Sequence, residues 1–122
     1  MMNNDSVFLT IPNKPDYISM VRLTTSSLAN KLGFDFDTIE DIKVSIGEAC
    51  INSLQFCHKG SISIVYESYI DKLTIKVSNC KDNIPKEIEE KKDRELGILI
   101  IKSLMDKVDF TDEGIEMTKY IK

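Results

Sequence analysis

The sequence predicts an α+β fold, a two-layer sandwich in which helices cover a sheet. Three observations carry the prediction. Apolar residues recur every three or four positions in three segments, β-prone apolar segments occur in five others, and the two kinds follow the order β-α-α-β-β-α-β-β. Consecutive β segments favour antiparallel hairpins, and helices grouped apart from them must bury their apolar stripes against the sheet. At ~100–200 residues per domain, the 122 residues form one domain, 1–122.

Val7 to Ile11 is apolar and β-prone, and Pro12 closes it as an opening strand. Pro15 suits the first turn of a helix, where its missing N–H costs nothing. Ile18, Val21, Thr25, Leu28 and Leu32 then form one stripe before Gly33, a good helix stop, which predicts a first helix over 15–32. Asp37 followed by Glu40 is capping-box-like, and Ile39, Ile42, Ile46, Ala49, Cys50 and Cys57 extend a second helix to His58. Ser61 to Glu67 and Leu73 to Ser78 alternate as a hairpin. Lys81 to Glu95 carries 5 basic and 6 acidic side chains in 15 residues, with Pro85 near its start. Such a stretch buries little, and it reads either as a solvated helix over Pro85 to Lys92 or as a charged lid over a ligand. A third helix is expected over 96–107, with Ile98, Ile101, Leu104 and Met105 inward. Val108 to Thr111 and Ile115 to Tyr120 close the chain as a hairpin.

The composition narrows the function. The formal charge of −4 argues against a direct nucleic-acid partner. Cys50, Cys57 and Cys80 are odd in number and irregular in spacing, so they make neither a disulfide framework nor a metal knuckle, and a reducing cytoplasm is the simplest location. No segment approaches the ~18–20 apolar residues that span a bilayer, and MMNNDSVFLTIP does not read as a secretory signal. The lone His58, at a helix end, reads as a helix-terminus partner.

Glu48 and Asn52 stand four apart, on one face of the second helix. A carboxylate can accept a proton, and a neutral amide oxygen can ligate Mg²⁺ without cancelling its charge, so the pair suits a nucleotide phosphate. Ala49, Cys50 and Leu54 draw this stretch towards the core.

Asp41-Ile42-Lys43-Val44-Ser45-Ile46-Gly47-Glu48-Ala49-Cys50-Ile51-Asn52 resembles the N box of the bacterial anti-sigma factor and serine-protein kinase family, within the GHKL ATPase superfamily. The likeness extends to Ile11–Leu32, to Leu96-Gly97-Ile98 with Ser103-Leu104-Met105-Asp106-Lys107-Val108, and to Met117-Thr118-Lys119-Tyr120. It implies a single histidine kinase-like ATPase domain of the Bergerat type, with a mixed, mostly antiparallel sheet and helices on one face. It also implies roles. Glu48 would be the general base, Asn52 the Mg²⁺ ligand, Asn79 the acceptor for the adenine amino group, and Gly97 a lid-end glycine whose backbone meets the phosphates of ATP near a helix N-terminus. Arg94 is a candidate γ-phosphate contact.

The sequence departs from the family pattern at three places around these residues. Asn79 replaces an aspartate, Lys81 a glycine and Glu95 a second glycine, and 81–95 contains no glycine to cradle phosphate. The resemblance therefore implies an anti-sigma factor that holds a sigma factor and, where ATP binding is retained, phosphorylates a serine of an anti-anti-sigma (STAS-type) antagonist. A non-catalytic partner-switching module with a degenerate pocket is the alternative, and a histidine-kinase ATPase fragment a more distant one. A homodimer without membrane contact is expected.

Overall fold

The computed structural model describes residues 4–56, 60–78, 88–111 and 114–121, with backbone alone at 55, 56 and 88–94. Five strands, β1 (Asp5–Pro12), β2 (Ser61–Ser68), β3 (Lys72–Ser78), β4 (Lys107–Thr111) and β5 (Gly114–Tyr120), form one sheet in the order β1-β2-β3-β5-β4. All four pairings are antiparallel. The helices are α1 (Ile18–Lys31), entered through a 3₁₀ turn at Pro15–Tyr17, α2 (Phe36–Phe56) and α3 (Ile88–Leu104).

Alternation decides the layering. Ile62, Ile64 and Tyr66 of β2, Leu73, Ile75 and Val77 of β3, and Met117 of β5 all point to one face and are buried. The buried stripes of α1 (Ile18, Val21, Thr25, Ala29) and α2 (Ile39, Ile42, Ile46, Ala49, Cys50) lie on that face. The α2 helix is central, packed against both α1 and α3. At roughly 1.5–3 kcal/mol for each large apolar side chain taken fully out of water, this shared face is the main stabilising term. Tyr66 reaches through it to α1, where its hydroxyl lies 2.7 Å from Thr25 Oγ1, which itself donates to the Val21 carbonyl. Ile98 and Leu104, expected inward on α3, are only half-buried, whereas Ile101 and Met105 are buried as expected.

Several boundaries differ from the sequence expectation, among them the first helix, which starts at Ile18 behind a 3₁₀ turn and not at Pro15. α3 begins at Ile88, not Leu96, and ends at Leu104 before Lys107 enters β4. The charged stretch 88–95 joins the helix because Glu, Lys and Arg are good helix formers. The α2 cap is Asp35 in place of Asp37: Asp35 Oδ1 accepts the Thr38 N–H at 2.8 Å, and its carbonyl accepts the Ile39 N–H at 2.9 Å. Hydrogen bonding to Thr38, from its side chain first and then from its backbone N–H, holds the Asp35 carboxyl below its usual 3.8. Asp35→Ala therefore lowers the unfolding temperature at neutral pH. Because the folded-state pKa is the lower one, that contribution is present above the unfolded pKa and is lost as pH falls through the folded value. Thermal melts of both proteins at pH 7 and pH 2 check this, with a smaller difference expected at pH 2. Cys57, His58, Cys80 and residues 81–87 of the expected lid lie outside the described residues.

Candidate functional site

The site is built where α2 meets α3. On α2, Ala49 and Cys50 face the core while Glu48 and Asn52 are half-buried on the side towards α3. Across from them α3 presents Gly97, which is buried. A Cβ placed on Gly97 would lie 3.2 Å from both amide atoms of Asn52 and 3.4 Å from Glu48 Oε1. Glycine here weakens the helix by about 1 kcal/mol relative to alanine. In return α3 approaches the carboxylate and the amide without placing a side chain between them.

The structure thus brings Glu48, Asn52 and Gly97 together from two helices that are distant in the chain. It places Gly97 inside α3, well past the first turn, so its N–H belongs to the helix ladder and is not one of the free donors at a helix start. Asn79 lies outside the described residues, one position beyond Ser78 at the end of β3, and the Arg94 side chain lies outside them as well. Glu95, where the family pattern has glycine, is exposed on α3.

Two contacts were not anticipated. Arg22 of α1 lies across α2 at Gly47, so that a Cβ on Gly47 would come within 2.6 Å of Nη2 and 2.9 Å of Nε. A bare glycine in mid-helix was the legible signal, since such a position usually marks a close approach. Ser53 of α2 donates from Oγ to the Ser78 carbonyl at 2.8 Å, tying the helix to the end of β3. No spacing pattern announces a bond between residues 25 apart.

Cys50 is fully buried beside this site, and burial pushes its thiol up to about 12, with the Arg22 charge opposing the shift. A thiol in this state is not a nucleophile at neutral pH. Iodoacetamide at pH 8 should leave Cys50 unmodified in the folded protein and label it after unfolding, as read by peptide mass mapping. Among the described residues no cluster of His, Cys, Asp and Glu could hold a metal by itself, and no helix is long and apolar enough to cross a membrane.

Residues 11–119 match the family described as Histidine kinase-like ATPase domain. The chain belongs to the histidine kinase-like ATPase family. It is similar to Serine-protein kinase RsbW of Bacillus thuringiensis subsp. konkukian (strain 97-27) and to the protein so named in Bacillus cereus (strain ATCC 10987 / NRS 248). Each is 37% identical over 138 aligned positions that take in 97% of this chain and 86% of the relative. The protein of that name in Bacillus mycoides (strain KBAB4) is 36% identical over the same extent. An alignment of 138 positions is longer than a chain of 122 residues, so the relatives carry residues with no counterpart in this ATPase-family chain.

Proposed function

We propose that this chain is an anti-sigma factor of the serine-kinase type, which sequesters a sigma factor of RNA polymerase and phosphorylates a serine of an anti-anti-sigma (STAS-type) antagonist. The observation that carries this reading is the convergence of Glu48, Asn52 and the bare Gly97 from two helices, in a chain similar to serine-protein kinases over nearly its whole length. The donor set fits Mg-ATP, which supplies the transferable phosphoryl group. Asn52 would hold Mg²⁺ through its amide oxygen, leaving the cation's charge available to the phosphates. Glu48 would take the proton from the attacking serine hydroxyl. Asn79 would accept a hydrogen bond from the adenine amino group, Arg94 would reach the γ-phosphate, and Gly97 leaves room for both ends to meet. Incubation with radiolabelled ATP and antagonist domains, together with a sigma-factor pull-down, tests the reading. Label on the antagonist and a sigma complex are expected, and the absence of both removes it.

One observation favours the alternative, a partner-switching module with a degenerate pocket. α3 starts at Ile88, which commits the Gly97 N–H to the helix and withholds it from phosphate. Calorimetry with Mg-ADP separates the two, since micromolar binding, ~8 kcal/mol, sinks the degenerate-pocket reading. We further propose a homodimer. Among the described residues β1 is paired on one side only, and Phe8 on this eight-residue edge is 74% exposed, the kind of edge that recruits another strand. A cytoplasmic location without direct nucleic-acid contact suits these partners and the net charge of −4. Gel filtration giving a monomer at every concentration would remove the dimer.

A further inference from the structure

We propose that Lys119 is a positioning residue of the site: by tying the carbonyl end of α3 to the sheet, it keeps Gly97 against Glu48 and Asn52. The proposal rests on the nucleotide-binding reading above. Two fragments of the family likeness, Ser103-Leu104-Met105-Asp106-Lys107-Val108 and Met117-Thr118-Lys119-Tyr120, have no part in that reading, and the structure joins them.

Lys119 stands where the alternation of β5 would place an apolar side chain. It shares a face with the buried Met117 and pairs with Leu73, which is fully buried, so it lies on the face of the sheet that the helices cover. Its side chain is only 15% exposed, and a charge held there needs partners. Lys119 Nζ donates at 2.7 Å to the carbonyl of Leu104, the last residue of α3, and lies 3.5 Å from Asp106 Oδ1. A cation at this end of a helix satisfies a carbonyl that the helix leaves unbonded, and it faces the negative end of the helix dipole. Asp106 completes the latch. Its Oδ2 accepts the Tyr120 N–H at 2.8 Å, and its own N–H donates to the Thr118 carbonyl at 3.0 Å.

The latch bears on the site because of how α3 is seated. The helix packs on α2 and meets the sheet mainly through the edge strand β4. Gly97 lies seven residues before Leu104 on the same helix, about 10 Å along its axis at 1.5 Å per residue. The clearance there is narrow, since a Cβ would come 3.2 Å from the Asn52 amide and 3.4 Å from Glu48 Oε1. Methionine at 119 keeps an unbranched side chain of similar length but has no donor and no charge. The Leu104 carbonyl and the Asp106 carboxylate then lose their cation, the end of α3 is released, and Gly97 no longer holds its distance from the two side chains. Displacements of about 1 Å are enough to matter at such a site.

Hydrogen exchange read by mass spectrometry and calorimetric titration with Mg-ADP test this. The proteins compared are the unmodified chain, Lys119→Met, Lys119→Arg and Gly33→Ala, the last destabilised at the turn between α1 and α2. Without nucleotide, Lys119→Met should speed exchange of the 97–104 amides about tenfold, and more than that of 42–50 in α2. The same variant should weaken Mg-ADP about tenfold. Lys119→Arg, which keeps a cationic donor at the helix end, and Gly33→Ala should both stay within about threefold of the unmodified affinity. An unchanged Mg-ADP affinity in Lys119→Met overturns the positioning role and leaves the nucleotide reading intact. An equal loss in Gly33→Ala overturns it as well, because lower stability alone would then account for the effect. So does an equal loss in Lys119→Arg, or exchange that rises equally in 97–104 and 42–50. Absence of Mg-ADP binding by the unmodified chain overturns the nucleotide reading itself, and this proposal with it.

Discussion

On the kinase reading proposed above, Glu48→Gln is expected to lower the rate of phosphoryl transfer to the antagonist serine by about a hundredfold to ten-thousandfold, the usual contribution of a positioned general base. Glutamine keeps the length and planar end of glutamate, so contact with the Gly97 face of α3 is preserved. What is lost is the ability to accept a proton at the moment the serine oxygen attacks. Affinity for Mg-ADP stays within a few-fold, because the amide of Asn52 is untouched and the bound product needs no base. Single-turnover labelling of the antagonist gives the rate and calorimetry gives the affinity. A rate equal to that of the unmodified chain would show that Glu48 is not the base.

Among the glycines, Gly114→Ala is expected to be the most destabilising substitution. Gly114 opens β5 with φ +150°, in a region that L side chains rarely adopt, and a Cβ there would overlap the carbonyl oxygen of Val77 on β3. Backbone strain of about 1–3 kcal/mol adds to overpacking of about 1–3 kcal/mol. The neighbour is main chain at the end of the β3–β5 ladder, held by the Val77 to Ile115 and Ser78 to Gly114 register, so it has no rotamer to yield. A fall in Tm on the order of 10 °C is expected. Gly33→Ala provides a comparison, since Gly33 also has positive φ, +92°, but nothing lies within 4 Å of its Cβ position. It should lose only the strain component. Equal losses at the two positions would show that the close approach of β5 to β3 contributes nothing.

Most of the fold was legible because the two hydrophobic periods are local. Ile62, Ile64 and Tyr66 alternate, and Ile39, Ile42, Ile46, Ala49 and Cys50 follow helical spacing, so each element declares its buried face without its neighbours. The α3 boundary was not legible in the same way. Residues 88–95 carry no apolar stripe in the sequence, and helix propensity, which extends α3 back to Ile88, says nothing about where a buried face begins. The α2 cap moved from Asp37 to Asp35 for a related reason. Only Asp37 has a glutamate three residues on and so satisfies the capping-box pattern, whereas the aspartate whose carboxylate meets the Thr38 N–H is decided by how the chain turns after Gly33.

The sequence by itself determined an α+β sandwich, an acidic chain of one-domain length, and Glu48 and Asn52 as neighbours on one helix face, because spacing within a helix settles which residues share a side. The tertiary structure alone decided what faces them. It set Gly97 against the pair, laid Arg22 over Gly47, and sent the Ser53 hydroxyl to the Ser78 carbonyl in place of its own helix. Each of these joins residues far apart in the chain, and such contacts follow from how elements pack across the sheet, not from any period in the sequence.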